Sequence, residues 1–271
     1  MKTVYMLLAF SLSFTLNCFA QIISWDNSYG EKNDEVINSV VVTNDKCFIA
    51  AGYTSSKGNG EKDCYLICID EQGKILWEKT YGKIKNDIAK KIIKSKKDDY
   101  IVIGTSESSN IGYKDVWVFK INRLGEILWE RRFQGSEKDN VCDIISTKDG
   151  NYLIAGSKQS ISDTDINVWI LKIDDNGSKI WQCTSDYRYN DDEARSLVEN
   201  SDESFIAAGW KYSQPLKFNV PYFIKFDKRG NRVWEKTINS TNDNIVNCII
   251  KTSDSYLLTC GYKKNDAGNN D

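Results

Sequence analysis

Residues 172–181 read KIDDNGSKIW, a charged turn between two apolar stretches. The same pattern stands at 68–77 (CIDEQGKILW), 120–129 (KINRLGEILW) and 225–234 (KFDKRGNRVW). In each copy Asp or Asn opens the turn, and three residues later a glycine can take the positive φ that tightens it. A turn that returns at a fixed interval indicates a repeated supersecondary unit.

Two residue series measure the repeat. Tryptophans recur at intervals of 52 or 53 residues, at Trp25, Trp77, Trp129, Trp181 and Trp234. Glycines keep the same register, at Gly52, Gly104, Gly156, Gly209 and Gly261. Each unit divides into four short apolar runs, a to d, separated by turn signals; in the third unit these are CDIIST, NYLIAG, NVWILKI and KIWQCT. The pattern predicts four β-strands per unit.

The c strands decide between all-β architectures. YLICI, VWVFKI, VWILKI and YFIKF are apolar on both faces and therefore need cover on both sides. Four-stranded sheets stacked around an axis supply that cover. We therefore predict an all-β fold, a β-propeller with blades of about 52 residues.

The ends of the repeat leave the number of blades open. A lone d strand around Trp25 precedes four abcd sets, and an a and b pair near Gly261 follows them. Pairing the first strand with the last two would close a ring and protect its edges. The chain is then a five-bladed propeller with an incomplete, composite last blade, or else a fragment of a larger propeller.

The turn and its tryptophan, [DN]xxGxxxW, resemble the repeats of quinoprotein-type (PQQ-like) propellers. The units also resemble the repeat propellers of secreted bacterial surface proteins, over essentially all of residues 22–262. The resemblance implies that each tryptophan locks one blade against the next. It also implies one enzyme alternative, a quinone-dependent or degenerate propeller oxidoreductase, although the adjacent cysteine pair of many quinoproteins is missing.

The first twenty residues have the pattern of an export signal, with Lys2, an apolar run over 4–16 and a small-residue site at 18–20. An uncleaved membrane anchor is the alternative, but the run is shorter than the roughly 20 residues that a span needs. We expect residues 21–271 to form one propeller domain without a membrane span, in the periplasm, at the cell surface or outside the cell.

Composition excludes several classes of function. The chain carries 36 basic and 38 acidic residues, so no strong positive field favours nucleic acid. It contains no histidine, which excludes histidine triads, histidine metal ligands and histidine acid–base catalysis. Seven cysteines follow residue 20, and we interpret most of them as small buried core residues.

An acidic series is the candidate metal site. Five aspartates lie 17 or 18 residues before the repeat glycines, at Asp34, Asp87, Asp139, Asp192 and Asp243. In a closed ring they would surround one mouth of the central channel, where carboxylates could bind Ca²⁺. The alternative, which we favour, is that each Asp caps its own turn by binding nearby backbone N–H groups.

The loops between strands b and c are the candidate binding surface. They vary most, and they carry four candidate aromatic residues: Tyr53, Tyr113, Trp210 and Tyr212. Loops on a rigid scaffold suit recognition, and aromatic rings suit sugars or peptides. We therefore predict an exported, non-enzymatic propeller that binds a glycan or protein or acts as a surface spacer, with no required cofactor.

Overall fold

The computed structural model describes residues 25–107, 114–133, 139–159, 165–185 and 191–264. Within these ranges the strands form five antiparallel sheets, four of them four-stranded. The first contains β1 (Glu35–Val42), β2 (Phe48–Thr54), β3 (Asp63–Ile69) and β4 (Ile75–Tyr81). The second contains β5 (Asp87–Lys94), β6 (Tyr100–Ser106), β7 (Asp115–Ile121) and β8 (Ile127–Phe133).

The remaining sheets continue the same order. The third contains β9 (Asn140–Ser146), β10 (Tyr152–Gln159), β11 (Ile166–Ile173) and β12 (Lys179–Thr184). The fourth contains β13 (Asp192–Glu199), β14 (Phe205–Ser213), β15 (Phe218–Phe226) and β16 (Arg232–Thr237). The fifth contains β17 (Asn244–Lys251) and β18 (Leu257–Lys263). A short 3₁₀ turn at Lys96–Asp98 joins β5 to β6. Each four-stranded sheet is one predicted unit, with its strands paired in chain order.

The sheets stack in succession, as a β-propeller requires. The first strands of successive sheets pack together, β1 with β5, β5 with β9, β9 with β13 and β13 with β17. The apolar core is divided into layers between neighbouring sheets. The predicted two-sided burial of the c strands is confirmed for β3 and β7, where every residue is buried, and for β11, where all but the first are. In β15, four of the nine residues are half-buried. The fold is the predicted propeller of four-stranded blades.

The repeated turn is built by its first and fourth residues. The Oδ1 atom of Asp70 accepts hydrogen bonds from the backbone N–H groups of Gln72 and Lys74, each at 2.9 Å. Gly73 adopts a φ of 79°. Asn122, Asp174 and Asp227 accept the same two bonds in their own turns. An Asx-type turn explains why Asp or Asn opens every copy.

Four of the five repeat tryptophans pack against the turn of the next blade: Trp25, Trp77, Trp129 and Trp181. The indole Nε1 of Trp77 donates to the carbonyl oxygen of Arg123 at 3.0 Å, and Trp129 binds Asp175 in the same way. A Cβ added at Gly177 would lie 2.7 Å from the Trp129 ring. This turn therefore requires a glycine for two reasons. One is its positive φ, and the other is that the tryptophan ring of the preceding blade occupies the space of a Cβ. The predicted role of the tryptophans in joining blades is confirmed.

The two ends of the array differ from its interior. Among the described residues the fifth sheet contains no third strand, and residues 25–34 form no strand. The expected pairing of the Trp25 segment with the last two strands is therefore not seen. Trp25 instead donates to the carbonyl oxygen of Glu71 at 2.8 Å. Trp25 contacts the turn of the first blade in the same way as Trp77 and Trp129 contact the turns of the blades that follow them. This contact does not require the Trp25 segment to pair with a sheet.

Where they are described, the b–c loops and the segments that precede the a strands lie on the same face, as predicted. Backbone hydrogen bonds join them, for example from Ser55 to Asp34 at 2.8 Å and from Tyr212 to Asp191 at 2.7 Å. No helix in the described ranges is both long and apolar enough to span a membrane.

Candidate functional site

The repeat glycines mark a β-bulge in the first strand of every sheet. A Cβ at Gly104 would lie 2.1 Å from the carbonyl oxygen of Ile88, and the other four glycines are equally close to the strand beside them. The strand pairing skips one residue opposite each glycine. The skipped residues are Asn38, Lys90, Cys142, Arg195 and Asn247. Bulges redirect side chains and are frequent next to functional sites.

The five bulge residues line one cavity of about 370 Å³ in the centre of the array. Because each comes from a different sheet, the cavity is the channel around which the blades are arranged. Its remaining lining residues are Asn140, Val141 and Glu193. We call this group of eight residues the channel site.

An ion pair and its hydrogen bonds orient one side of the channel site. The Nε atom of Arg195 lies 2.8 Å from Oε1 of Glu193, and its Nη1 donates to Oδ1 of Asn247 at 2.7 Å. Glu193 also accepts hydrogen bonds from Asn140 at 3.3 Å and from the indole of Trp210 at 3.4 Å. The guanidinium group has five N–H donors, so these contacts leave donors that can face the cavity.

Lys90 supplies a second positive charge. Its side chain is half-buried, and it forms no ion pair with any described residue. Together with Arg195 and Glu193 it gives the site one net positive charge. The amide groups of Asn38, Asn140 and Asn247 add neutral donors and acceptors. This set of groups suits an oxyanion that carries one negative charge.

Cys142 is the only cysteine among the lining residues, and its thiol is a potential nucleophile. Burial raises the pKa of this thiol well above its usual range, and the carboxylate of Glu193 raises it further. The positive charges of Arg195 and Lys90 oppose the shift but do not overcome it. At neutral pH the group is therefore a thiol rather than a reactive thiolate.

The predicted aromatic residues are distributed over separate blades. Tyr53 is half-buried on β2, with the Lys62 ammonium 4.6 Å from its ring centre. Trp210 is half-buried on β14 and binds Glu193 of the channel site. Tyr212 lines a second cavity of about 360 Å³ in the fourth blade. Tyr113 lies outside the described residues, so its predicted role has no structural description.

Four of the five predicted aspartates accept a hydrogen bond from a backbone N–H group. Asp87 accepts from Lys83 N–H at 2.9 Å, Asp139 from Gln159 N–H at 2.9 Å and Asp243 from Asn219 N–H at 2.9 Å. Asp192 accepts from Val168 N–H and, at 2.7 Å, from the Ser185 hydroxyl. Asp34 is exposed. Only the Asp87 bond is that of a local cap, since Asp139, Asp192 and Asp243 bind N–H groups 20 to 24 residues away on β10, β11 and β15. Among the described residues no three metal-ligating side chains are grouped. Calcium binding remains a prediction.

Burial has a marked effect on Asp192. The side chain is fully buried between the third and fourth blades, and this burial raises the pKa of its carboxyl to about 6. The hydrogen bonds from Ser185 and Val168 act in the opposite direction but are weaker. Asp192 is therefore half-ionised near pH 6, unlike an ordinary aspartate.

Sequence reasoning did not identify the channel site, although a signal was present. Each bulge residue stands 14 residues before a repeat glycine. The five positions hold Asn, Lys, Cys, Arg and Asn, so the spacing is constant while the chemistry varies. A position of that kind inside a rigid repeat is where a binding site can be varied without disturbing the fold.

The family of the chain follows from a match that covers the first three blades. The family model of arylsulfotransferases (ASST) matches residues 31–187, more than half of the 271-residue chain. The chain belongs to the arylsulfotransferase family. Three of the five bulge residues of this family member, Asn38, Lys90 and Cys142, lie inside the matched stretch. The comparisons do not confirm the resemblance to quinoprotein-type propellers.

Solved structures resemble this arylsulfotransferase-family chain in fold. An endo-arabinase from Bacteroides thetaiotaomicron is 10% identical, with 84% of this chain and 89% of that chain covered and a TM-score of 0.49. An endo-1,4-β-xylanase from the same organism is 12% identical, with 84% of both chains covered and a TM-score of 0.48. Identities this low do not extend to substrate or mechanism. No curated protein matches the chain.

Proposed function

We propose that this arylsulfotransferase-family propeller binds a sulfate ester at the channel site, with Arg195 and Lys90 as the groups that recognise the anion. One observation supports the proposal above the others: the bulges of five strands bring two cations, two amides and a thiol into one cavity, which the amide of Asn140 also lines. The family match supports the choice of a sulfate ester among oxyanions.

Charge and geometry favour this class of ligand. A sulfate ester carries one negative charge and three terminal oxygens, and the site carries one net positive charge. The planar guanidinium of Arg195 can donate two parallel hydrogen bonds to an oxyanion, while Lys90 acts as a point charge. Glu193 and Asn247 hold Arg195 in place, which reduces the entropy lost when a ligand binds.

Binding has more support than sulfuryl transfer. The chain contains no histidine, and burial keeps Cys142 in its thiol form. The family match is the observation that favours transfer, so the same experiment should measure it. Export from the cytoplasm, based on residues 1–20, and the alternative of a surface spacer also remain proposals.

The test compares a sulfate ester with its parent phenol, in a mildly acidic buffer that keeps the phenol uncharged. Calorimetric titration with p-nitrophenyl sulfate should show binding that p-nitrophenol does not reproduce. Arg195→Gln and Lys90→Gln should each weaken it at least about tenfold, because a hydrogen bond to a charged group contributes about 1.5 to 3 kcal/mol. Lys228→Gln is the matched control, since Lys228 is an exposed cation that pairs with Glu203 outside the channel site.

A sulfated oligosaccharide provides the second arm of the titration. Tighter binding of the oligosaccharide than of the aryl ester would identify a glycan as the source of the sulfate group. Release of p-nitrophenol in the presence of a phenol acceptor would show transfer instead of binding alone. Equal affinity for p-nitrophenol and its sulfate, or no loss in both channel variants, would sink the proposal.

A further inference from the structure

Two cysteines of the fifth sheet stand directly opposite each other. The register of β17 and β18 pairs Cys248 with Cys260, next to the bulge at Asn247. Residues opposite each other in an antiparallel pair project from the same face, with Cα atoms about 4.5 to 5.5 Å apart. Disulfides need Cα atoms about 4.4 to 6.8 Å apart. The backbone of this hairpin therefore meets the distance requirement for a disulfide.

The pair occurs in only one of the five repeats. The corresponding residue pairs of the complete blades contain no cysteine: Ser39 with Ala51, Lys91 with Ile103, Asp143 with Ala155, and Ser196 with Ala208. In those blades the first member reaches the next blade, as when Ser39 Oγ accepts from Ile92 N–H at 3.2 Å. In the fifth sheet both positions are cysteine, and no described blade follows. The fifth sheet therefore departs from the repeat pattern at both positions. Its first position, Cys248, has no following blade to contact among the described residues.

Accessibility separates these two thiols from the three cysteines of the first blade. Cys47, Cys64 and Cys68 are buried in the first blade, and burial raises the pKa of each thiol. Cys248 is half-buried and Cys260 is exposed, and both are free thiols in the structure. β18 is an edge strand in which every residue but one is exposed. An oxidant in solution can reach this pair without unfolding the core.

We propose that Cys248 and Cys260 form a cross-strand disulfide by exchange with an oxidised low-molecular-weight disulfide such as oxidised glutathione. The Cys260 thiol loses its proton, attacks one sulfur of that disulfide and releases one glutathione thiol. The Cys248 thiolate then attacks Cys260 sulfur in the mixed disulfide and releases the second. The protein loses two electrons and two protons, and the glutathione disulfide takes up both.

The bond closes the terminal hairpin covalently. A two-stranded sheet is at best marginally stable alone, and here only β17 contributes buried residues to the core beside the fourth blade. The cross-link limits the separation of β18 from β17 in the open state of the hairpin. It therefore holds β18 on β17 in a sheet that contains no third strand among the described residues.

The experiment treats the full chain with oxidised glutathione and maps its cysteines by non-reducing peptide mass spectrometry. One peptide pair, joined through Cys248 and Cys260, should appear. Cys248→Ser should leave Cys260 as a glutathione adduct, and Cys183→Ser is the matched control that should retain the cross-link. Hydrogen exchange in β17 and β18 should slow at least about tenfold on oxidation and return to its initial rate on reduction.

Two results would overturn the inference. One is that the unmodified chain keeps stable glutathione adducts at Cys248 or Cys260 and forms no cross-link, while its hairpin is protected from hydrogen exchange. The other is a cross-link that persists in the Cys248→Ser variant, since it would join different residues. Neither result bears on sulfate ester binding, so failure here and failure of the proposed function are distinguishable.

Discussion

The second blade and the fifth sheet are built from the same repeat but have different surroundings. Every residue of β6 and β7 is buried, because blades lie on both sides. In β18, Leu257 and Leu258 are exposed, although they follow the same sequence pattern. Both sheets keep the bulge and its glycine. Local geometry is therefore a property of the repeat, whereas burial depends on the neighbours of each sheet.

The largest difference is expected from the repeat glycines. Gly104→Ala would place a Cβ 2.1 Å from the carbonyl oxygen of Ile88, in a strand whose residues are all buried. We expect a loss of more than about 4 kcal/mol in the free energy of unfolding. Gly261→Ala creates a similar clash at 1.8 Å from the Ile245 oxygen, but should cost less than about 1 kcal/mol because the hairpin can open locally.

Denaturant unfolding followed by far-ultraviolet circular dichroism measures both values. Equal losses in the two variants would break the comparison, because they would show that β18 belongs to the cooperative core.

The next effect concerns the docking tryptophans. Trp77 packs on Gly125 and binds the Arg123 carbonyl oxygen, so Trp77→Ala should cost about 3 to 4 kcal/mol. Trp234 is 39% exposed and has no described turn to receive it. Trp234→Ala should change the free energy of unfolding by no more than about 0.5 kcal/mol. The same denaturation experiment applies, and a comparable cost at Trp234 would reveal a partner for the fourth blade's outer strand.

The smallest effect is a pH dependence. The carboxyl pKa of Asp192 is raised to about 6, above its unfolded value, so the native state binds the proton more tightly. The contribution of Asp192 to stability should therefore fall as pH rises from about 4 to 6, by about 2 to 3 kcal/mol. Asp192→Asn should flatten that dependence, because an amide does not ionise.

Asp243→Asn is the matched control, since Asp243 is only partly buried and pairs with Lys264 at 3.4 Å. Melting temperatures at closely spaced pH values provide the measurement. If the unmodified chain and Asp192→Asn show the same dependence on pH between about pH 4 and 6, the burial of Asp192 has no such effect.

The sequence predicted much of the fold and little of the site. The strands of the third unit were correctly placed because apolar runs and turn residues are local signals. The channel site was missed because the direction of Arg195 depends on a bulge, which exists only when β13 pairs with β14. Cys248 and Cys260 were missed for a related reason, since cross-strand register brings together residues that are twelve apart in the chain.

The sequence by itself determined the repeat, its four strands and the glycine and tryptophan that join one unit to the next. These features depend on backbone φ, side-chain size and hydrophobic periodicity, which act within one unit or between adjacent units. Only the tertiary structure decided which side chains meet in the channel and which faces of the end sheets remain uncovered. Those outcomes depend on the arrangement of all five sheets around one axis, because each sheet contributes a single bulge residue to the common cavity.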